Sequence, residues 1–279
     1  MRVAPSCRST PSPPPVPPAR PWQFPRWFRR YSDPIVRELR VPILSGPNRG
    51  RWWSLASAGG GHASGRRARA QLQMLARLIR PGDVVWDVGA HHGFVSILAA
   101  ACVGRAGSVH AFEPSARNRA MLERHVRWNA RSSVTVHPYA LSDYDGEASF
   151  GGRGTSRMFA LGGGDEHVAV RRATTLVTEG RCPPPSFVKV DVEGAEASLL
   201  AGLLPVLPAS ARLVIAMHGA EQDARCVALL LDAGHRLEAT ADLRRSRAGT
   251  WNSDPDLVSV GPEGGDAATI ASLVHDGER

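Results

Sequence analysis

Four apolar runs in this chain each carry or end on a group that can do chemistry. Val84-Val85-Trp86-Asp87-Val88 holds a carboxylate and breaks at Gly89-Ala90-His91-His92-Gly93. Val109-His110-Ala111-Phe112 ends on Glu113, 20 residues after Gly93. Phe187-Val188-Lys189-Val190 runs into Asp191-Val192-Glu193-Gly194-Ala195-Glu196, and Leu213 to Met217 ends on His218. An ionised carboxylate only accepts hydrogen bonds, so such positions suit ligand hydroxyls, ammonium groups or cations. A neutral imidazole can take a proton near neutral pH.

The glycine turn narrows the choice of ligand. A dinucleotide site uses G-x-G-x-x-G, whose middle glycine lets backbone approach a pyrophosphate. Here the pattern is Asp87-x-Gly89-x-x-x-Gly93, and His91 stands where that middle glycine belongs. This argues against a nicotinamide-dependent oxidoreductase. A cofactor without phosphates fits, and S-adenosylmethionine is the common one.

The groups need elements to hold them. Apolar runs without alternation read as strands buried on both faces of a parallel sheet. Such sheets bind ligands at the carboxyl ends of their strands, near the switch in strand order. Phe94 to Val103 reads as a helix closed by Gly104, and Pro114-Ser115 opens another with Met121, Leu122 and Val126 inside. Val134 to Pro138 reads as a third strand, which places Ala140-Leu141-Ser142-Asp143 at the carboxyl end of the sheet. Upstream, a hairpin is expected over Val41 to Ala56, around Gly46-Pro47-Asn48-Arg49-Gly50. Ala68, Leu72, Leu75 and Ile79 follow at helical spacing. Ala148 to Phe150 and Val168 to Val170 suggest an added hairpin around the Gly-rich loop Gly151 to Gly164, which reads either as a substrate lid or as a surface loop. Arg236 to Ala239 and Leu257 to Val260 supply the last two strands, with a long loop between them.

Taken in order, Asp87-Val-Gly-Ala…Gly93, Phe112-Glu-Pro114, Ala140-Leu-Ser-Asp143 and Lys189-Val-Asp-Val-Glu-Gly-Ala-Glu196 resemble the FkbM family of S-adenosylmethionine-dependent methyltransferases. The resemblance covers Gly82 to His218. It implies an α/β, Rossmann-like class I methyltransferase fold with a doubly wound, mostly parallel seven-stranded sheet, and methyl transfer to a hydroxyl of a small molecule, sugar or glycan. It also implies roles. Gly89 and Gly93 let the turn approach the methionine part of the cofactor. Asp87 orients that turn or receives the methionine ammonium. Glu113 takes the ribose, Asp143 the adenine amino group, and Leu141 or Ser142 lies against the ring. Asp191 faces the methionine end. His218 is the candidate general base, with Glu193 beside the substrate space. Family members often show Glu-x-His here, whereas this chain has Ala216-Met217-His218. Glu196, in the first turn of a helix, reads as a charge favoured by the helix dipole. Asp191, Glu193 and His218 offer ligand types suited to a divalent ion, but they lack tight ligand spacing, so no metal is assigned.

Composition bounds the rest. The net charge of +8 divides unevenly: residues 1–80 hold 15 Arg against two acids, and residues 81–279 hold 18 Arg and one Lys against 24 acids. The second part is thus mildly acidic, which argues against nucleic acid as the partner of the enzyme domain. An RNA methyltransferase and a non-catalytic binding protein of the same fold remain as alternatives. Residues 1–35 read as a disordered Pro/Arg-rich arm, whose Trp22, Phe24, Trp27, Phe28 and Tyr31 suit either a surface contact or packing on the main domain. Residues 36–261 read as the methyltransferase domain and 262–279 as a frayed tail. The four cysteines form no C-x-x-C pair, and no stretch of 18 apolar residues occurs. A cytoplasmic enzyme with free thiols and no secretory signal is expected.

Overall fold

The computed structural model describes residues 38–57, 60–65, 68–130, 133–151, 160–161, 165–239 and 256–263. The expected arm over 1–35, most of the loop Gly151 to Gly164 and nearly all of the tail lie outside the described residues.

The chain opens with strands β1 (Arg40–Pro42) and β2 (Trp52–Ser54), an antiparallel pair at the expected hairpin. Helices α1 (Gly60–Ala63) and α2 (Arg69–Leu78) follow. Strand β3 (Val84–Val88), helix α3 (Phe94–Val103), strand β4 (Ser108–Phe112), helix α4 (Ala116–Asn129) and strand β5 (Val134–His137) then alternate. A second group contains β6 (Tyr139–Ser142), β7 (Gly146–Gly151), β8 (Ala160–Leu161) and β9 (Glu166–Arg172). Helix α5 (Ala173–Thr178), strand β10 (Phe187–Val190), helix α6 (Glu196–Leu203), strand β11 (Arg212–Ala216), helix α7 (Ala220–Asp232) and strands β12 (Arg236–Ala239) and β13 (Asp256–Val260) complete the described chain.

The central sheet has seven strands in the order β12-β13-β11-β10-β3-β4-β5. Neighbours from β11 to β5 pair in parallel, while β13 is antiparallel to both β11 and β12. The order reverses at β3, so the carboxyl ends of β3, β4, β10 and β11 border the switch point where open α/β sheets bind ligands. The fold is doubly wound, and β3 shows why its sequence reads as nearly all apolar. Val85 packs on one face with Leu72, Leu75, Ile97 and Phe187; Trp86 and Val88 pack on the other with Leu176, Leu200 and Leu203. Asp87 breaks the run and is fully buried.

The expected small hairpin is part of a separate four-stranded sheet, β6-β9-β7-β8. Strand β6 pairs in parallel with β9, so Leu141 and Ser142, which follow the carboxyl end of β5, lie on a strand of this second sheet. Gly202 of α6 packs so closely on β6 that a Cβ there would stand 2.2 Å from the Ser142 carbonyl oxygen. Among the described residues, no helix is long and apolar enough to cross a membrane. Cys102, Cys182 and Cys226 are free thiols.

Candidate active site

Strand pairing assembles the first group of charges. Asp87 and Lys189 are register partners on β3 and β10 and so share one face, and the two-residue strand period puts Asp191 on the same side. Lys189 Nζ donates to Asp191 Oδ2 at 2.8 Å. Asp87 Oδ2 accepts from Ser96 Oγ of α3 at 2.5 Å, which ties the strand to the helix across the glycine turn. Full burial pushes the Asp87 carboxyl up despite the nearby ammonium. Burial works to lower Lys189, but the carboxylates of Asp191 and Asp87 outweigh it and hold it above its ordinary value. Burial works to raise Asp191; Lys189, then His218 and His91, turn the balance and keep it below the usual carboxylate range. Asp87 is thus tied to the helix that follows the turn. Lys189 already stands beside it as a cation, so a direct ammonium contact has a competitor. Sequence reasoning gave Lys189 no role, although a lone lysine inside an apolar strand needs a buried counter-charge.

The turn after β3 reaches both neighbouring strands. Gly89 has φ 79°, and a Cβ on it would meet the Asp191 carbonyl oxygen at 1.8 Å, so only glycine lets the two tips touch. Gly93 has φ 85° and starts α3. His91, at φ 50°, donates its backbone N–H to Glu113 Oε2 at 2.8 Å. Glu113 Oε1 accepts from the Ser115 N–H at 3.0 Å and from Asn118 Nδ2 at 3.3 Å. A carboxylate offers about four acceptor positions, so three donors fix its orientation and leave one for a ligand hydroxyl. Burial lifts the Glu113 carboxyl to about 7, against the pull of those donors. A rigid acceptor at the tip of β4, with a side chain in place of a phosphate-binding glycine, fits S-adenosylmethionine by its donor set.

The second group forms at the tips of β10 and β11. His218 Nδ1–H donates to Glu196 Oε1 at 2.7 Å, and that oxygen also accepts the Gly194 N–H at 3.0 Å. His218 Nε2 faces Asp191 Oδ1 at 3.6 Å and Glu193 Oε2 at 3.7 Å. Burial works to lower the imidazole, but the Glu196 hydrogen bond and the charges of Asp191, Glu196 and Glu193 lift it to about 9. The ring is thus protonated at neutral pH, whereas the strand-end position alone suggested a neutral base.

One expectation changes here. Glu196 is 1% exposed and serves as the carboxylate partner that Ala216 cannot supply; it is more than a helix-end charge. Asp191, Glu193 and His218 lack tight spacing along the chain, yet the fold brings them together. Their ligand atoms lie within 4.8 Å of one another, because parallel strands β10 and β11 bring residues 25 or more positions apart side by side.

Leu141 and Ser142 are buried on β6, and the Leu141 side chain, 2% exposed, packs in the apolar core. Ser142 Oγ donates to Asp143 Oδ1 at 3.2 Å, and Asp143 is exposed.

Behind the turn, His92 Nδ1 pairs with Ser57 Oγ at 2.6 Å. His125 Nε2 accepts the Ser54 N–H at 3.0 Å, so its Nδ1 carries the hydrogen donated to the His92 carbonyl at 2.7 Å. Trp53 stacks on His125 with centroids 3.7 Å apart. His91 and His92 therefore shape the turn, one holding Glu113 through its backbone and the other docking the hairpin.

The family model described as Methyltransferase FkbM domain matches residues 87–237. The hexuronic acid methyltransferase AglP of Haloferax volcanii is 30% identical over 176 residues, covering 61% of this chain and 70% of that protein. Among solved structures, an S-adenosylmethionine-dependent O-methyltransferase from Thermotoga maritima has a TM-score of 0.46 at 12% identity, over 70% of this chain and 65% of that one. A precorrin-6y C5,15-methyltransferase from Geobacter metallireducens has a TM-score of 0.45 at 14% identity, over 70% and 88%.

Proposed function

This chain belongs to the FkbM family of S-adenosylmethionine-dependent methyltransferases, and from that premise we propose that it methylates a hydroxyl oxygen of a sugar, glycan or other small molecule. The observation that carries this reading is the group Asp191, Glu193 and His218, at strand tips adjoining the turn that holds the cofactor. The bound cofactor supplies a methyl group on a sulfonium, so the protein's task is position, alignment and the fate of one proton. The hydroxyl O–H bond breaks, the oxygen's electron pair forms the O–CH3 bond, and the S–CH3 pair returns to sulfur. The proton leaves toward Glu193, whose carboxylate can accept it, while the His218 imidazolium beside it steadies the negative charge that develops on the acceptor oxygen; the two serve as the catalytic pair. A hydroxyl needs such a group far more than a nitrogen or thiolate acceptor does.

Within the cofactor pocket, Glu113 takes the ribose, Gly89 and Gly93 line the methionine part, and Asp87 anchors the turn through Ser96. Asp191 faces the methionine end. Ser142 and Asp143, with the Leu141 backbone, serve the adenine end. The similarity to a hexuronic acid methyltransferase supports an acceptor of sugar type. The acidic balance of residues 81–279 disfavours an RNA acceptor.

The test is transfer from a donor labelled with carbon-13 in its methyl group to a panel of uronic acids, neutral sugars, phenols and RNA. The expected product shows a new O–CH3 resonance on a hydroxylated small molecule or glycan. Label in RNA, or cofactor binding with no transfer to any acceptor, contradicts the reading.

A further inference from the structure

We propose that Asp191, Glu193 and His218 bind one divalent cation of the Mg2+ or Mn2+ kind. The inference rests on the hydroxyl-methylation reading, because a cation here would sit between the cofactor turn and the acceptor. His218 Nε2 is buried and has no hydrogen-bond partner, and the side chain is 10% exposed. It points at Asp191 Oδ1 and Glu193 Oε2, 3.6 and 3.7 Å away, too far for hydrogen bonds. Adjacent ligands on a six-coordinate ion with bonds of about 2.1 Å stand about 3 Å apart, so a small inward movement closes the site.

Two of the three ligands are already oriented by an outer partner. Glu196 holds His218 Nδ1, and Lys189 holds Asp191 Oδ2, which leaves Nε2 and Oδ1 turned inward. Metal-binding histidines ordinarily have their second nitrogen fixed in this way. Glu193 has φ 54°, in the left-handed region, and this aims its carboxylate back toward β11. The cation displaces the Nε2 proton of His218 on binding, and two oxygens and one nitrogen then suit a hard to borderline ion. Three protein ligands on one side leave positions for an acceptor hydroxyl, whose acidity a bound cation raises. His110, His137 and Cys182 also lie close together, but His110 Nδ1 and His137 Nε2 already pair at 3.0 Å, and their nitrogen and thiol set suits softer ions. They provide the control.

The probe is Mn2+ alone, added to chelator-treated full-length protein and followed by electron paramagnetic resonance of the free ion. One Mn2+ per chain is expected, displaced by excess Mg2+. Glu193→Gln and Asp191→Asn should each weaken binding at least tenfold, Glu196→Gln about tenfold, and Cys182→Ala should leave it unchanged. Circular dichroism reports that each variant is folded, and S-adenosylhomocysteine binding does so for the Glu193, Glu196 and Cys182 variants. No binding to folded wild-type protein at millimolar Mn2+, or unchanged binding in Glu193→Gln, overturns the proposal. Hydroxyl methylation at full rate in chelator overturns the cation and spares the acceptor reading. Mn2+ bound at this site in a protein that methylates no hydroxyl spares the cation and overturns the acceptor reading.

Discussion

Glu113 shows how one side chain can set both cofactor affinity and its pH dependence. Its carboxyl lies near 7 because burial outweighs three N–H donors, while the Arg119 guanidinium, bonded to the Glu113 carbonyl, adds a favourable charge. In the role proposed for Glu113, ribose hydroxyls donate to the ionised form. Affinity for S-adenosylhomocysteine should therefore be constant above about pH 7 and fall up to tenfold per pH unit below it, as binding expels the proton. Isothermal titration between pH 5.5 and 8.5 reads this directly, and a flat profile contradicts the role. Glu113→Ala should weaken binding by about 1–3 kcal/mol at pH 8. Glu196 makes a different forecast. Glu196→Gln should lower methyl transfer by about 10–100-fold with S-adenosylhomocysteine affinity unchanged, since it acts on His218 and not on the cofactor. Glu113 was legible in the sequence because an acid at a strand tip, 20 residues beyond the glycine turn, follows from chain geometry. Glu196 was not, because its partner stands on another strand and helix-end acids are common.

At the scale of elements, the β1–β2 hairpin clamps the cofactor turn. Asn48 Nδ2 donates to the Phe94 carbonyl at 2.8 Å, and Trp53 lies between His62 and His125 with Phe94 against its edge. Trp53→Ala should cost about 3–5 kcal/mol of stability, measured by urea unfolding. The same layer makes the fold sensitive to acid. Burial, the largest cause, lowers His92 to about 2 and His125 to about 4. Both titrate near 6.5 when unfolded, so between about 4 and 6.5 the unfolded state binds more protons. Stability is then full above pH 6.5 and is lost as pH falls below it, by about 1.4 kcal/mol per pH unit for each histidine. A melting temperature unchanged from pH 7 to pH 5 contradicts this. The hairpin itself was legible from Gly46-Pro47-Asn48-Arg49-Gly50. Its docking was not, because Trp53 and His125 meet across 72 positions with no periodic signal. The second sheet was half legible for a similar reason: the β7–β9 pair is local, but β6 joins β9 across more than 20 residues.

For the whole molecule, the charge split separates the N-terminal segment from the catalytic part. Removing residues 1–20, which contain seven prolines and three arginines without aliphatic periodicity, should leave the melting temperature and its rise with S-adenosylhomocysteine intact. A large loss of that rise would assign the segment to the site. The parallel core was legible because doubly buried strands are nearly continuous apolar runs, and the topology rules then order them. The chemistry of the acceptor end depended on side chains that only the folded sheet brings within a few ångströms. On the proposed reading the molecule divides its work, with the β3–β4 tips holding the donor and the β10–β11 tips handling the acceptor. The most direct test is His218→Ala, assayed for S-adenosylhomocysteine affinity and for methyl transfer to an acceptor identified by the labelling panel. Transfer should fall by about 10²–10⁴-fold while cofactor affinity stays within twofold. Near-native transfer, or a loss of cofactor affinity matching the loss of transfer, contradicts that division.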